Sequence, residues 1–372
     1  MKESVSFSKL LVSLSAIQHN ASAAMSSLPA GTKLIPVLKA NAFGLGMSAV
    51  AKALCSFDKV AGFAVAYVSE GLALRESGIT LPILVLGPAL PFQYKEAITS
   101  GLTLTLGNAE DLFPMAQTAE KLGEKISIQI KFDTGLHRFG IESDHFSELT
   151  SALNACRSFF SLKGSYSHFA DPSDAKRCAD QFHQYMAFSD ALEAQGFSLP
   201  MRHICDSAAS ELYPEYALDA VRLGRRLAWD NPCHPNGQIR EAASLQSVVT
   251  GIWQRHAGET LGYGDGLILK KDTRVASIGI GYGDGLDLNA VNKHLPVLLN
   301  GNLCPLLYSF MDHTLIDVGD HPCVLGDVVT LFGSDGSGSF LSAQKQASDC
   351  GANEACAFTT ALLPRVERIY LD

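Results

Sequence analysis

The chain has 372 residues, of which 47% are hydrophobic and 18% charged, and its formal net charge at pH 7 is -9. A chain of this size and composition can bury a large core and is expected to form two domains, so a disordered or fibrous protein is excluded. Because the net charge is negative and no block of Lys or Arg concentrates positive charge, neither nucleic acid nor membrane is an expected partner.

The nine cysteines are scattered, and none forms a CxxC pair or stands at metal-ligand spacing from a histidine. We therefore expect reduced thiols that fill core space, no metal site and a cytoplasmic protein. The apolar stretch near the N-terminus, KLLVSLSAIQHN, is too short and too polar for a signal peptide or a membrane span.

From residue 33 to about 230, short apolar runs bounded by Gly, Pro or Asp alternate with amphipathic segments of helical period, a pattern typical of βα units. Eight runs are predicted as strands: KLIPVLKA (33–40), GFAVAY (62–67), PILVLGP (82–88), TLTLG (103–107), ISIQIKFDTG (126–135), GSYSHFA (164–170), RHICDS (202–207) and DAVRLG (219–224). The longest helical segment, from Asp174 to Glu193, has one apolar face. Eight such units predict a (β/α)8 TIM barrel in residues 1–234, with its active site at the carboxyl ends of the strands.

The residue pattern changes after the stretch DNPCHPNGQ (230–238). From there on, short runs rich in β-forming residues alternate with turns. Residues 235–372 are therefore predicted to form a separate, mainly β domain. The hexapeptide GYGDGL occurs in it twice, at 262–267 and 281–286. By itself this repeat predicts only two Gly/Asp turns.

Lys39 is the sharpest chemical feature, because it ends an apolar strand and is followed by small residues and glycines in LIPVLKANAFGLG. Such a lysine can simply pair with a carboxylate at a strand end. Alternatively, a partly desolvated amine has a lowered pKa and can act both as the nucleophile that forms a Schiff base and as a general base. The strand alone does not choose between these interpretations.

Motifs along the whole chain favour the interpretation of Lys39 as a Schiff-base lysine. VLKANAFGLG resembles the VKANAYGHG segment that carries the cofactor lysine in alanine racemases, and IKFDTGLHRFGIE resembles their K-x-D-T-G-M-x-R-x-G segment. Further matches, in the family's order, are GSYSHFA, DSAAS, AVRLG, LGYGDG, IGIGYGDG, SFMDH and PRVERIY. The resemblance implies an isomerase that uses pyridoxal 5′-phosphate and racemises a small amino acid, most simply L-alanine to D-alanine for peptidoglycan.

The resemblance implies two bases in a site shared by a homodimer. Lys39 would bind the cofactor aldehyde and exchange the Cα proton on one face, and Tyr263 of the partner subunit would act on the other face. His168, linked to Arg222, would help a phenol whose ordinary pKa is about 10 to work near neutrality. A core imidazole and an ion-pairing arginine are the alternatives for His168 and Arg222.

The position of Arg222 also bears on the reaction. The resemblance places its guanidinium against the pyridine nitrogen of the cofactor. Because a guanidinium does not give up a proton, that nitrogen stays unprotonated and the ring is a weaker electron sink. Rapid reprotonation at Cα would follow, which favours racemisation over transamination.

The remaining family positions concern binding. Arg138 matches the arginine that contacts the cofactor oxygen and the substrate carboxylate, and Lys131 matches a lysine that is often carbamylated and supports that arginine. Met311 and Asp312 match the substrate-facing loop of the partner, and Tyr282 matches a tyrosine of the access channel.

The phosphate would be bound by the Ser207 hydroxyl and by backbone N–H groups at Gly224 and Arg225. The chain departs from the family here, because Phe43, Leu45 and Cys356 replace a tyrosine, a histidine and a C-terminal tyrosine, and Asp206 replaces an asparagine. Each lost hydroxyl donor would weaken binding by about 1 to 3 kcal/mol.

Three other functions stay open at this point. A racemase of serine or of broad specificity fits the same motifs, since the access channel is altered. A related decarboxylase would need a cysteine-bearing loop and a larger β domain. A non-catalytic cofactor-binding protein of the single-barrel type would lack the β domain, although a degraded homologue with both domains would keep it.

Overall fold

The computed structural model describes residues 5–230, 237–352 and 354–372. Two compact units are present. The barrel unit comprises Ala21–Ala42 and Met47–Leu227, and the β unit comprises Met1–Asn20, Phe43–Gly46 and Ala228–Asp372. Cys233 lies outside the described residues, and none of the other eight cysteines forms a disulfide bond.

The chain begins with strand β1 (Lys9–Ser13) and helix α1 (Leu14–Ser26). Eight strands follow in the barrel unit, each overlapping one apolar run that the sequence predicted, although β7 begins four residues before its run: β2 (Lys33–Pro36), β3 (Phe63–Val65), β4 (Ile83–Val85), β5 (Thr103–Leu106), β6 (Ile126–Lys131), β7 (Phe160–Tyr166), β8 (Arg202–His203) and β9 (Ala220–Leu223). Strands β3 to β8 pair in sequence order, all parallel. Strands β3, β4 and β5 are buried at every residue, as parallel strands covered on both faces should be.

The ring of strands closes. Strand β2 pairs in parallel with β9, from Lys33 with Ala220 to Pro36 with Leu223. Two bridges on the other side of β2, Leu34 to Val60 and Val37 to Ala64, join it to the β3 region. The backbone N–H of Arg222 in β9 donates to the carbonyl of Cys205, just after β8, at 3.0 Å. The predicted TIM barrel is therefore confirmed.

A left-handed turn, labelled α2 (Lys39–Phe43), and seven helices separate the barrel strands: α3 (Met47–Leu54), α4 (Val68–Glu76), α5 (Pro91–Thr99), α6 (Leu112–Leu122), α7 (Phe146–Ala155), α8 (Ala175–Ala194) and α9 (Ala209–Leu212). Short 3₁₀ turns lie at Ala109–Asp111, Ser143–His145, Pro214–Tyr216 and Arg225–Leu227. Helix α8 begins where Asp174 accepts the N–H of Arg177 at 3.0 Å, and it buries Tyr185 and Leu192 on the predicted apolar face.

The β unit contains the remaining strands: β10 (Ala243–Arg255), β11 (Thr260–Leu261), β12 (Leu267–Ile268), β13 (Thr273–Ile278), β14 (Pro296–Leu299), β15 (Asn302–Ser309), β16 (Thr314–Asp317), β17 (Val328–Ser334), β18 (Phe340–Leu341) and β19 (Glu367–Leu371). Its helices are α10 (Leu288–Asn292), α11 (Ala343–Cys350) and α12 (Cys356–Ala361), with a 3₁₀ turn at Tyr282–Asp284. The main sheet has the order β18-β17-β14-β15-β16-β13-β10-β1-β19. The predicted mainly β domain is confirmed.

The N-terminal strand belongs to this sheet. Lys9 of β1 lies opposite Gln246 of β10 in an antiparallel pair and opposite Glu367 of β19 in a parallel pair. The sequence prediction placed residues 1–234 together in the barrel, because a single strand shows no sign of its distant partners. Its partners are more than 230 residues away, so only the folded chain reveals them.

The two copies of GYGDGL form turns, as their composition predicts. The first connects β11 to β12, and the second contains the 3₁₀ turn Tyr282–Asp284. A Cβ at Gly262 would lie 2.2 Å from the Tyr308 ring, and Gly285 has a φ of 98°. Glycine is therefore required at both positions.

Candidate active site

Lys39 lies just beyond the carboxyl end of β2, where the backbone makes an unusual turn. The four residues after it, from Ala40 to Phe43, have φ values of 52°, 56°, 54° and 56°. Non-glycine residues in the left-handed region cost about 1–2 kcal/mol each, so the surrounding structure must hold this turn. We expected partial desolvation of Lys39, but its side chain is exposed at the edge of the barrel.

Arg222 lies inside the barrel unit and is 4% exposed. Its Nη2 donates to the carbonyl oxygens of Ser167 and Ile204, both at 2.8 Å, and to Nδ1 of His168 at 3.1 Å. Its Nη1 donates to Nδ1 of His203 at 2.5 Å and to the carbonyl oxygen of the same residue at 3.3 Å. These contacts hold the guanidinium plane in one orientation, so Arg222 is not a surface ion-pair residue.

Both imidazoles next to Arg222 are neutral. The pKa of His168 is lowered to about 4, mainly by burial; the Asp206 carboxylate opposes this shift, and the positive charge of Arg222 adds to it. Burial, aided by Arg222, likewise holds the pKa of His203 well below its usual value. Because Arg222 only donates, each Nδ1 accepts and each ring carries its proton on Nε2. Nε2 of His203 donates to Gln129 at 2.8 Å, and Nε2 of His168 lies 4.0 Å from Asp206.

Lys131, at the end of β6, is 1% exposed. Its Nζ donates to the carbonyl oxygen of Phe139 and lies 4.6 Å from the centre of that ring. The guanidinium carbon of Arg138 lies 5.4 Å from the same ring, so Phe139 contacts both cations. Burial lowers the pKa of Lys131 to about 8, although the Asp133 charge opposes this shift. A substantial fraction of the amine is therefore neutral near pH 8, as reaction with CO₂ requires.

Hydrogen bonds join Ser207 to the turn after β9. The buried Ser207 Oγ accepts the N–H of Gly224 at 3.1 Å and that of Arg226 at 3.4 Å. Arg225 is 7% exposed, and the Arg226 guanidinium lies 3.6 Å from Glu211. A hydroxyl, backbone N–H groups and two arginines suit an anion.

In the β unit, Tyr263 projects from the β11–β12 turn and is 77% exposed. Its N–H donates to the Tyr308 hydroxyl at 3.3 Å, and its ring meets Phe310 edge to face with centroids 5.4 Å apart. These contacts hold the backbone and the ring of Tyr263 and leave its hydroxyl exposed to solvent. The ring borders a cavity of about 700 Å³, which Asp312 also lines.

The two predicted substrate-facing loops of the β unit lie together. The N–H of Tyr282 donates to the carbonyl of Phe310 at 3.0 Å, and the N–H after Tyr282 donates to the carbonyl of Met311 at 2.8 Å. Met311 is 61% exposed. Asp312 accepts from His313 at 3.1 Å, and this hydrogen bond holds the pKa of Asp312 below its usual range.

Three of the positions that depart from the family, Phe43, Leu45 and Cys356, lie in the β unit, whereas Asp206 lies in the barrel unit. The carbonyl of Phe43 accepts the Thr359 hydroxyl at 2.7 Å, and Leu45 is buried. The Cys356 thiol, at the start of α12, donates to Glu354 at 3.3 Å. These side chains therefore provide packing and a thiol in place of the family's hydroxyl and imidazole groups.

The predicted residues thus form two groups. The barrel unit places Lys39, Arg138, His168, Ser207, Arg222 and Gly224 at or beyond the carboxyl ends of its strands, and the β unit carries Tyr263, Tyr282, Met311 and Asp312 on neighbouring turns. Sequence reasoning missed His203 and Gln129, which continue the hydrogen-bond chain from Arg222. Gln129 stands between two isoleucines in the strand run ISIQIK, and this polar residue in a barrel strand is the signal that could have revealed it.

Comparison with known proteins identifies the family. The model of the alanine racemase N-terminal domain matches residues 12–232, and that of the C-terminal domain matches residues 242–370. The chain belongs to the alanine racemase family. An alanine racemase of Desulfovibrio desulfuricans is 32% identical over 97% of each chain.

Solved racemase structures agree. The alanine racemase of Clostridium difficile 630 has a TM-score of 0.90 at 28% identity, covering 99% of this chain and 97% of that one. A histidine racemase from Leuconostoc mesenteroides subsp. sake has a TM-score of 0.89 at 25% identity, covering 99% of each chain. Membership of the alanine racemase family makes this chain an amino acid racemase. No helix among the described residues is long and apolar enough to span a membrane.

Proposed function

We propose that this racemase interconverts L- and D-alanine with pyridoxal 5′-phosphate, and that it works as a cytoplasmic homodimer supplying D-alanine for peptidoglycan. The observation that carries the proposal is the buried Arg222 guanidinium, bonded to three carbonyl oxygens and two neutral imidazoles. No carboxylate hydrogen-bonds to it among the described residues. A group so held can donate to the ring nitrogen of a pyridine cofactor and cannot protonate it.

The residues present fit this cofactor. Lys39 supplies an amine for the aldehyde, and Arg222 supplies a donor for the ring nitrogen. The donors around Ser207 and Gly224 suit a phosphate, and Arg225 adds positive charge nearby. When bound, pyridoxal phosphate makes the substrate Cα proton acidic by withdrawing electrons from that carbon.

Two bases then exchange that proton on opposite faces. Lys39 removes or returns it on one face. Tyr263 of the partner subunit acts on the other, with His168 as its hydrogen-bond partner. The His168 ring is neutral and its Nδ1 accepts from Arg222, so its Nε2–H can donate to the phenol and orient it. That hydrogen bond becomes stronger as negative charge develops on the phenol oxygen. Arg138 and the backbone at Met311 would bind the substrate carboxylate, with Asp312 and Tyr282 beside it.

Exposed apolar side chains support the shared site. In the barrel unit, Tyr67, Phe92 and Phe113 are 63%, 76% and 46% exposed, and each follows the carboxyl end of a barrel strand, the catalytic edge of this fold. In the β unit, Tyr263 and Met311 are similarly exposed. Exposed apolar side chains suit an interaction surface, and in the proposed dimer a second copy of the chain would cover those of both units.

Racemisation of several amino acids by the cofactor-loaded protein tests the proposal. We expect L-alanine to react fastest, and Lys39→Ala to abolish the reaction. The likeness to a histidine racemase makes serine and histidine the informative alternatives, since a faster reaction with either would indicate a serine or broad-specificity racemase. Cofactor binding without racemisation of any amino acid would instead indicate a non-catalytic homologue.

A further inference from the structure

The carboxylate of Glu70, on helix α4, bonds to the backbone immediately after Lys39. The N–H of Ala40 donates to Oε1 at 2.7 Å. The other oxygen, Oε2, accepts the N–H of Ala66 at 2.7 Å and that of Tyr67 at 3.2 Å. One side chain therefore connects the end of β2, the end of β3 and the start of α4.

This contact falls where the backbone most needs support. Ala40 is the first of the four left-handed residues, and a second internal bond, from the N–H of Ala42 to the carbonyl of Leu38 at 2.8 Å, closes the turn from inside. The Glu70 bond fixes the peptide that joins Lys39 to Ala40. The orientation of that peptide sets the direction in which the lysine side chain leaves the backbone.

Only a carboxylate satisfies all three donors. Its two oxygens accept and never donate, and charged hydrogen bonds of this kind are stronger than neutral ones. A glutamine of the same shape would present an NH₂ group to at least one of the three N–H groups. We infer that Glu70 is a positioning residue that holds the Lys39–Ala40 peptide, and through it aims the Lys39 amine.

Gln93 provides a matched control. It stands in helix α5 where Glu70 stands in α4, and its Oε1 accepts the N–H of the residue before its helix, Leu90, at 3.0 Å. Among the described residues no hydrogen bond links Gln93 to the Lys39 turn. Gln93→Ala therefore removes a comparable helix-start contact and leaves that turn intact.

The first measurement needs no cofactor. Hydrogen–deuterium exchange at the Ala40 amide should become about tenfold faster in Glu70→Gln and Glu70→Ala, as expected for losing a charged hydrogen bond. Gln93→Ala should leave that rate unchanged. Unchanged exchange at Ala40 in both Glu70 variants, or equal acceleration in Gln93→Ala, would overturn the inference.

The second measurement rests on the proposed function. With cofactor bound, both Glu70 variants should lose about tenfold in kcat, with little change in KM, because a misaimed base weakens the chemical step and spares substrate binding. Gln93→Ala should keep the wild-type kcat. A wild-type kcat in both Glu70 variants would overturn the positioning role even if Ala40 exchange accelerates. If the wild type racemises no amino acid but exchange at the Ala40 amide accelerates in both Glu70 variants, the proposed function is wrong. Glu70 would then still be shown to hold the Lys39–Ala40 peptide.

Discussion

Lys131, His168 and His203 are ionisable side chains in the barrel unit, and burial is the largest influence on the pKa of each. The lysine is left with a substantial neutral fraction near pH 8, and the imidazoles stay neutral at physiological pH. Neutral rings are what allow Arg222 to donate to both of them. The same physical cause therefore prepares one amine for modification and two imidazoles for hydrogen bonding.

The first prediction concerns carbamylation of Lys131. Protein incubated near pH 8 with isotopically labelled bicarbonate should show a carbamate signal by NMR, because the neutral amine is the form that attacks CO₂. Lys131→Met should remove the signal, whereas Lys163→Met, at an exposed lysine of β7, should not. A signal that survives in Lys131→Met, or that is absent from the wild type, contradicts the prediction.

The second prediction is a pH dependence of stability caused by His168. Its folded pKa is about 4, below the ordinary 6.5, so the unfolded ring takes up a proton in this range and the folded ring does not. As pH falls from 6.5 towards 4, the wild type should lose unfolding free energy relative to His168→Gln, at about 1.4 kcal/mol per pH unit at most.

Urea unfolding at several pH values measures this difference. His145→Gln, at an exposed imidazole, is the control for replacing a histidine as such. A difference between the wild type and His168→Gln that stays constant across this range would contradict the prediction.

At the scale of elements, the connection from β2 to α3 combines two requirements. Its first part is the left-handed turn from Ala40 to Phe43. Its second part, Gly44, lies in the β unit, where a Cβ would stand 1.9 Å from the carbonyl oxygen of Thr359. The glycine is thus needed both for its φ of 84° and for space.

The third prediction separates these two requirements. Gly78 has a similar φ of 90° but open space around its Cα, so Gly78→Ala should cost only the left-handed penalty of about 1–2 kcal/mol. Gly44→Ala should cost about 1–3 kcal/mol more, because a backbone carbonyl must move. Unfolding free energies of the two variants measure the difference. Equal losses of unfolding free energy would mean that the Thr359 carbonyl moves away from the new Cβ at no cost.

At the scale of the whole molecule, the proposed chemistry divides between two units. The barrel unit carries Lys39 and the Arg222–His168 pair, whereas the β unit carries Tyr263. If each active site combines a barrel unit with the β unit of the partner subunit, the dimer is the smallest active form.

The fourth prediction follows from this division. Lys39→Ala and Tyr263→Phe should each be nearly inactive, but a refolded equal mixture should regain about one quarter of the wild-type activity, since half the dimers are hybrids with one intact site. A mixture of Lys39→Ala with Lys39→Met should regain none. If the mixture of Lys39→Ala with Tyr263→Phe stays as inactive as each variant alone, no site is shared between subunits.

The order of the barrel strands could be predicted from the sequence, which also indicated a set of candidate site residues whose roles stay predictions. Each of the eight apolar runs overlaps a barrel strand, because alternation of apolar runs with helical segments is a local pattern. Lys39, His168 and Arg222 could be proposed as site residues because each lies in a short motif at a strand end that resembles a family motif. The glycines of the two GYGDGL copies likewise predicted the turns that these segments form.

Tertiary structure alone decided how those residues are held. Contacts between distant parts of the chain place β1 in the β unit, join Arg222 to His203 and Gln129, and bring Glu70 against Ala40. Exposure is also a tertiary property, and for this reason the desolvation expected of Lys39 was not found. A motif indicates candidate residues for the chemistry, whereas burial and long-range hydrogen bonds set the orientation and charge of their side chains.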